Sequence, residues 1–106
     1  MIIAVNISKT LVVDNRLGVT KEALLKAMEK AWSLNVDRCK KHEYVIGVVK
    51  GEIKGRFHLK SVFLTKDKQR VQFELEECSP EDEKKIKDCL DSHAVNLARI
   101  QRGKYI

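Results

Sequence analysis

The run "YVIGVV", from Tyr44 to Val49, has no charged or amide side chain, and it restricts the fold more than any other stretch of the chain. It is rich in β-branched residues and too short for an independent helix, so it reads as a strand. Successive side chains of a strand point to opposite faces. Tyr44, Ile46 and Val48 therefore face one way, and Val45 and Val49 the other. A sheet with one wet face cannot hold such a strand, so something must cover both sides of it. Gly47 leaves room for a close neighbour.

Lys50 and Gly51 follow, a two-residue connection that closes a tight hairpin. Pairing Val49 with Glu52 sets Val48 against Ile53 and Tyr44 against Phe57. Gly55 marks a place for a bend or bulge, after which Phe57, Leu59 and Phe63 continue the inward face. "TKDKQ" is a polar turn, and "RVQFELEE" alternates with Val71, Phe73 and Leu75 inward. The expectation is a three-stranded antiparallel meander over residues 44–49, 53–64 and 70–77. A five-residue loop sets Leu64 opposite Arg70, Lys60 opposite Glu74 and His58 opposite Glu76.

"IIAVNIS" suits a buried strand from about Ile2 to Ile7, and "KTLVVDNRLG" reads as a polar connection. Thr20 is placed to cap a helix that spaces Leu24, Leu25, Met28, Ala31 and Trp32 on one stripe, with Trp32 at its end. Asn35 caps a further short turn. Ser79, Pro80 and the acids of "SPED" open another helix through Lys85, Ile86 and Leu90, and Gly103 ends any continuation. The order implies one α+β domain over residues 1–106, with two main helices on the sheet or with the sheet partly closed as a small antiparallel barrel. The basic tail, about residues 94–106, is expected to fray or to pack on the domain rather than to clamp nucleic acid.

Lys and Arg number 21 against 15 Asp and Glu, a formal net charge of +6, which favours polyanionic partners without specifying a fold. Cys39, Cys78 and Cys89 are odd in number and form no C-x-x-C, and His42, His58 and His93 lack metal-ligand spacing. They read as reduced thiols and non-catalytic imidazoles of a cytoplasmic protein that needs no metal or cofactor. The N-terminal apolar run lacks a basic leader and is interrupted by Asn6 and Lys9, so neither export nor a membrane span is expected.

Within "EIKGRFHLKSVFL", Lys54, Arg56, His58 and Lys60 recur at every second position, ~6.6 Å apart along a strand. Such a stripe is either a wet face or a grip for phosphate. Glu74 and Glu76 neutralise the half near Lys60, which leaves Lys50, Lys54 and Arg56 as the candidates for phosphate contact. Arg38, beside Lys40, Lys41 and His42, is a further cation suited to bidentate contacts. Trp32 is core in the plain reading and a base-stacking platform in the functional one.

The words "AWSLNVDRCKKHEYVIGVVKGEIKGRFHL" and "RVQFEL" resemble the small PUA-like domains, related to ASCH and EVE modules, found beside or fused to GIY-YIG nucleases. The likeness rests on Trp32, Leu34, Arg38, Tyr44, Val48, Gly51, Ile53, Arg70 and Phe73. It implies a compact PUA-like barrel that handles RNA or modified bases. The chain lacks the G-x-K-x-x-x-x-R of ASCH enzymes and carries no nuclease, so no catalytic residue is carried over. The resulting expectation is a non-enzymatic module binding RNA or modified DNA through Arg38, Lys50, Lys54, Arg56 and Trp32. The competing expectation, a protein-interaction subunit, is a homodimer or small inhibitor that pairs through a sheet edge or the second helix. A hydrolase with a site invisible in one sequence is a weaker third.

Overall fold

A computed structural model describes residues 2–8, 11, 20–29, 32, 34–66, 70–100 and 103–106. Most of the connection after the first strand and the tip of the "TKDKQ" turn lie outside the described residues. In chain order the elements are β1 (Ile2–Asn6), α1 (Lys21–Glu29), α2 (Val36–Cys39), β2 (Tyr44–Val49), β3 (Glu52–Leu64), β4 (Val71–Glu77), α3 (Pro80–Ser92), a 3-10 turn at Leu97–Arg99, and β5 (Gly103–Tyr105). The fold is α+β. Five strands form one sheet in the order β4-β3-β2-β1-β5.

The meander β2-β3-β4 is antiparallel as expected, but the sheet is mixed. β1 runs parallel to β2, with Ile2 beside Tyr44 and Asn6 beside Val48. Parallel neighbours need a crossover, and the chain segment carrying α1 and α2 supplies it on one face of the sheet. The sheet is open among the described residues, with β4 and β5 at its edges, rather than partly closed into an antiparallel barrel. The end of the tail packs on the sheet: β5 pairs antiparallel with β1, Ile3 beside Tyr105. Ile2 and Ile106 exchange backbone hydrogen bonds of 3.0 and 2.8 Å.

Both faces of β2 are covered, as its composition demands. Val45 packs with Ile3, Val5, Met28, Phe57, Leu59 and Phe73 beneath α1 and α2. Tyr44, Ile46 and Val48 pack with Ile2, Ala4, Ile86 and Ile100 beneath α3. Thr20 caps α1 by accepting from the Ala23 N–H at 3.1 Å. Ser79 and Asp82 form a reciprocal capping box at the start of α3, with Pro80 in its first turn, so two otherwise orphaned donors are satisfied. Gly47 and Gly55 face each other across β2 and β3. A Cβ on either would come within 2.9 or 2.8 Å of Met28 Sδ, so this glycine pair is what lets α1 approach the sheet.

Among the described residues α1 runs to Glu29, and Trp32 pairs as a strand residue rather than as part of the helix. Its backbone makes an antiparallel bridge to Val71, with bonds of 2.8 Å in both directions. Its indole N–H donates to the Met28 carbonyl at 2.8 Å, satisfying one of the acceptors that every helix leaves free at its C-terminus.

Two bulges reset β3. Gly47 is opposite Gly55 but Val48 is opposite Ile53, so Lys54 is the extra residue, and Tyr44 meets His58 instead of Phe57. A second shift between Leu59 and Ser61 makes Lys60 extra. Val62 then takes the inward position expected of Phe63, which is 44% exposed. Leu64 pairs with Val71 rather than Arg70. No helix among the described residues is long and apolar enough to cross a membrane.

Candidate nucleic-acid interface

The first bulge decides where the basic stripe points. Unbroken pairing from Val49–Glu52 would place Arg56 opposite Val45, against α1. The extra residue at Lys54 puts Arg56 opposite Ile46 instead, and Ile46 belongs to the face covered by α3. Arg56 there lines an open groove of about 590 Å³ between β3, α3 and the 3-10 turn. Ile53, Ile86, Leu90, Val95 and Leu97 give the groove an apolar surface. Lys84 and Lys87 on α3 line it with Arg56, and so do Glu83 and Asp91 of the same helix. Among the described residues, Arg56, Lys84 and Lys87 close no ion pair.

The hairpin tip lies beside this groove. Lys50 and Gly51 both have positive φ, 50° and 80°, as the primed two-residue turn requires. A Cβ on Gly51 would sit 3.3 Å from Ala98 Cβ, so the tip rests on the 3-10 turn that forms one end of the groove. Lys50 is exposed there. Lys54, by contrast, is matched: its ammonium lies 2.9 Å from Glu52, a contact that lowers the Glu52 pKa. Lys60 lies 3.6 Å from Glu74 and 3.7 Å from Glu76, as the sequence implies, although the second bulge puts Ser61 rather than Lys60 opposite Glu74.

Arg38 and Trp32 are elsewhere. Arg38 covers the Tyr105 ring at 4.1 Å from its centroid, and Tyr105 packs on the α1 side of the sheet. The Asn35 N–H donates to the Tyr105 hydroxyl at 3.0 Å, and the His42 ring lies against the same ring, tilted by 41° with centroids 5.1 Å apart. Arg38 therefore helps fasten β5, a cation–π role. Trp32 is half-buried against the core on that side, with its N–H already used. The structure thus brings Lys50, Lys54 and Arg56 to one end of the hairpin and keeps Arg38 and Trp32 away from Arg56. Lys84 and Lys87 were missed in the sequence. Their signal was the i, i+3, i+7 spacing of Lys84, Lys87 and Asp91, which puts them on one face of a helix.

The polar cluster at the start of α3 is a fastening. The Tyr44 hydroxyl donates to Asp82 Oδ1 at 2.8 Å, and the Ser79 N–H donates to Asp82 Oδ2 at 3.0 Å. Burial, and then Asp82, push the Tyr44 hydroxyl up to about 12. Burial, and then Asp82 and Glu83, push the Cys78 thiol up to about 11. Both groups keep their protons at neutral pH, so neither is an activated nucleophile. Among the described residues no group of His, Cys, Asp and Glu is arranged to hold a metal ion.

The Ser79 N–H, then the Tyr44 hydroxyl, hold the Asp82 carboxyl below its ordinary value of 3.8. On acidification the unfolded chain takes up this proton first, so the stabilisation is complete above 3.8 and is lost as pH falls through the lower folded value. Asp82→Asn is expected to be less stable than the parent at neutral pH and to show a shallower loss of stability with acid. Denaturant titrations across the acid range measure both, and parallel curves for the two proteins would contradict the assignment.

No family model, no curated protein and no solved structure matches the chain.

Proposed function

We propose that the chain is a non-enzymatic nucleic-acid-binding module whose interface is the groove between β3 and α3, extended by the β2–β3 turn. The observation that carries this reading is one open groove in which three cations, Arg56, Lys84 and Lys87, outnumber two carboxylates, Glu83 and Asp91, and close no ion pair among the described residues. Unmatched cations beside a concave surface attract a polyanion, and the net charge of +6 adds to that attraction. Lys50 reaches the same ligand from the turn, while Lys54, held by Glu52, contributes less than its position in the stripe implied. Arg38 and Trp32 serve the fold. Kinship with PUA-like modules is part of the proposal and rests on the sequence words around Trp32, Arg38 and Gly51.

Fluorescence anisotropy with a labelled single-stranded oligonucleotide at low salt tests the reading. Arg56→Ala is expected to weaken binding roughly tenfold, the worth of one charge-assisted hydrogen bond. Lys66→Ala, at the far end of β3, is expected to leave it nearly unchanged. Equal affinities for both variants would reject the groove as the interface.

A protein-interaction subunit is the second reading because two large apolar residues at the end of β3, Phe63 and Leu64, are each 44% exposed. Light scattering over a range of concentrations separates the two. A mass that stays monomeric removes self-association, and a dimer lost in Leu64→Asp establishes it.

A further inference from the structure

The groove holds more than cations, and its composition restricts what can fill it. Five aliphatic side chains line it, and Glu83 and Asp91 stand on the same helix face as Lys87. Glu83–Lys87 and Lys87–Asp91 are each separated by one helical turn, the spacing at which opposite charges pair on a helix surface. Neither pair is within ion-pair distance in the structure. The two carboxylates are thus left as acceptors facing the groove, beside cations that are left as donors.

A duplex presents phosphate outward and keeps its bases stacked inside, so backbone contacts would satisfy the cations and leave the aliphatic surface bare. A single strand can turn its bases toward Ile53, Leu90 and Leu97 while its phosphates meet Arg56, Lys84 and Lys87. A carboxylate beside a base edge accepts from an exocyclic amine, as Glu and Asp do with the cytosine N4 amino group, and it repels a keto oxygen. Building on the reading above, we infer that the groove takes a single strand and prefers bases with an exocyclic amine, cytosine, adenine and guanine, over thymine or uracil, through Glu83 and Asp91.

The test compares oligo-dC, oligo-dA and oligo-dT of equal length with a mixed-sequence duplex, by anisotropy at fixed low salt. The parent is expected to bind oligo-dC and oligo-dA about tenfold more tightly than oligo-dT, in line with the worth of one base-edge contact, and the duplex more weakly than oligo-dC or oligo-dA. Glu83→Ala with Asp91→Ala raises the positive charge of the site. It is therefore expected to bind oligo-dT more tightly than the parent does while the preference for oligo-dC and oligo-dA disappears. A merely structural role for the two acids would not produce that crossing. Equal parent affinities for all three single strands, a duplex bound as tightly as they are, or a preference that survives the double substitution would overturn the inference. In each of those outcomes the proposed function stands if Arg56→Ala still weakens binding. Absence of binding to every probe would bring down both.

Discussion

Phe73→Ala is expected to lose ~3–5 kcal/mol of stability, whereas Phe63→Ala, in the neighbouring strand, should change it by no more than about 0.5 kcal/mol. Phe73 is 1% exposed and lies in the core beneath α1, while Phe63 is 44% exposed. The difference comes from the extra residue at Lys60, which turns Val62 inward opposite Phe73 and leaves Phe63 opposite Gln72. For a domain whose whole stability is ~5–15 kcal/mol, the first loss is large enough to leave a substantial unfolded population. Urea titration followed by circular dichroism measures both. Similar losses for the two variants would mean that the second bulge is misplaced.

The same two bulges show how far the sequence can be read. Alternation in "YVIGVV" and the turn at Lys50 and Gly51 identified the hairpin, its first two pairs and the need for cover on both faces, because those features depend on neighbours in the chain. Gly55 hinted at a bend but did not reveal that Lys54 would be the extra residue. Because side chains alternate with a period of two, one extra residue exchanges the faces of everything beyond it. Arg56 therefore points to α3 and Phe57 to α1, which no local pattern states. The parallel pairing of β1 with β2 was hidden for a related reason: it joins residues about 42 positions apart through a crossover. β5 was hidden because three residues, Gly103–Tyr105, carry too little alternation to be recognised. The candidate site was half legible. Arg56 and Lys50 stood out in the stripe, whereas Lys84 and Lys87 looked like an ordinary solvated helix face until α3 was seen to run beside β3.

The second large effect concerns the groove. Replacing Arg56, Lys84 and Lys87 together by Ala is expected to weaken single-strand binding at low salt by about a thousandfold or more, since each removes a charge-assisted contact worth ~1.5–3 kcal/mol when it is made. The three side chains are exposed and close no ion pair among the described residues, so their removal leaves no buried charge stranded and the fold should persist. Lys60→Ala is the matched control. Lys60 is already held between Glu74 and Glu76, and its loss frees two carboxylates rather than a phosphate site, so its effect should be several-fold at most. An equal loss for Lys60→Ala would mean that affinity follows net charge and not place.

The salt dependence of binding tests the central claim most directly. Each phosphate neutralised on a single strand contributes about −0.7 to the slope of log K against log salt. If Arg56, Lys84 and Lys87 each meet a phosphate, the slope of the triple Ala variant should be shallower than that of the parent by about 2, with identical circular dichroism spectra. Parallel lines for the two proteins, or a parent whose affinity does not change with salt, would contradict the assignment of the groove between β3 and α3 as a nucleic-acid interface.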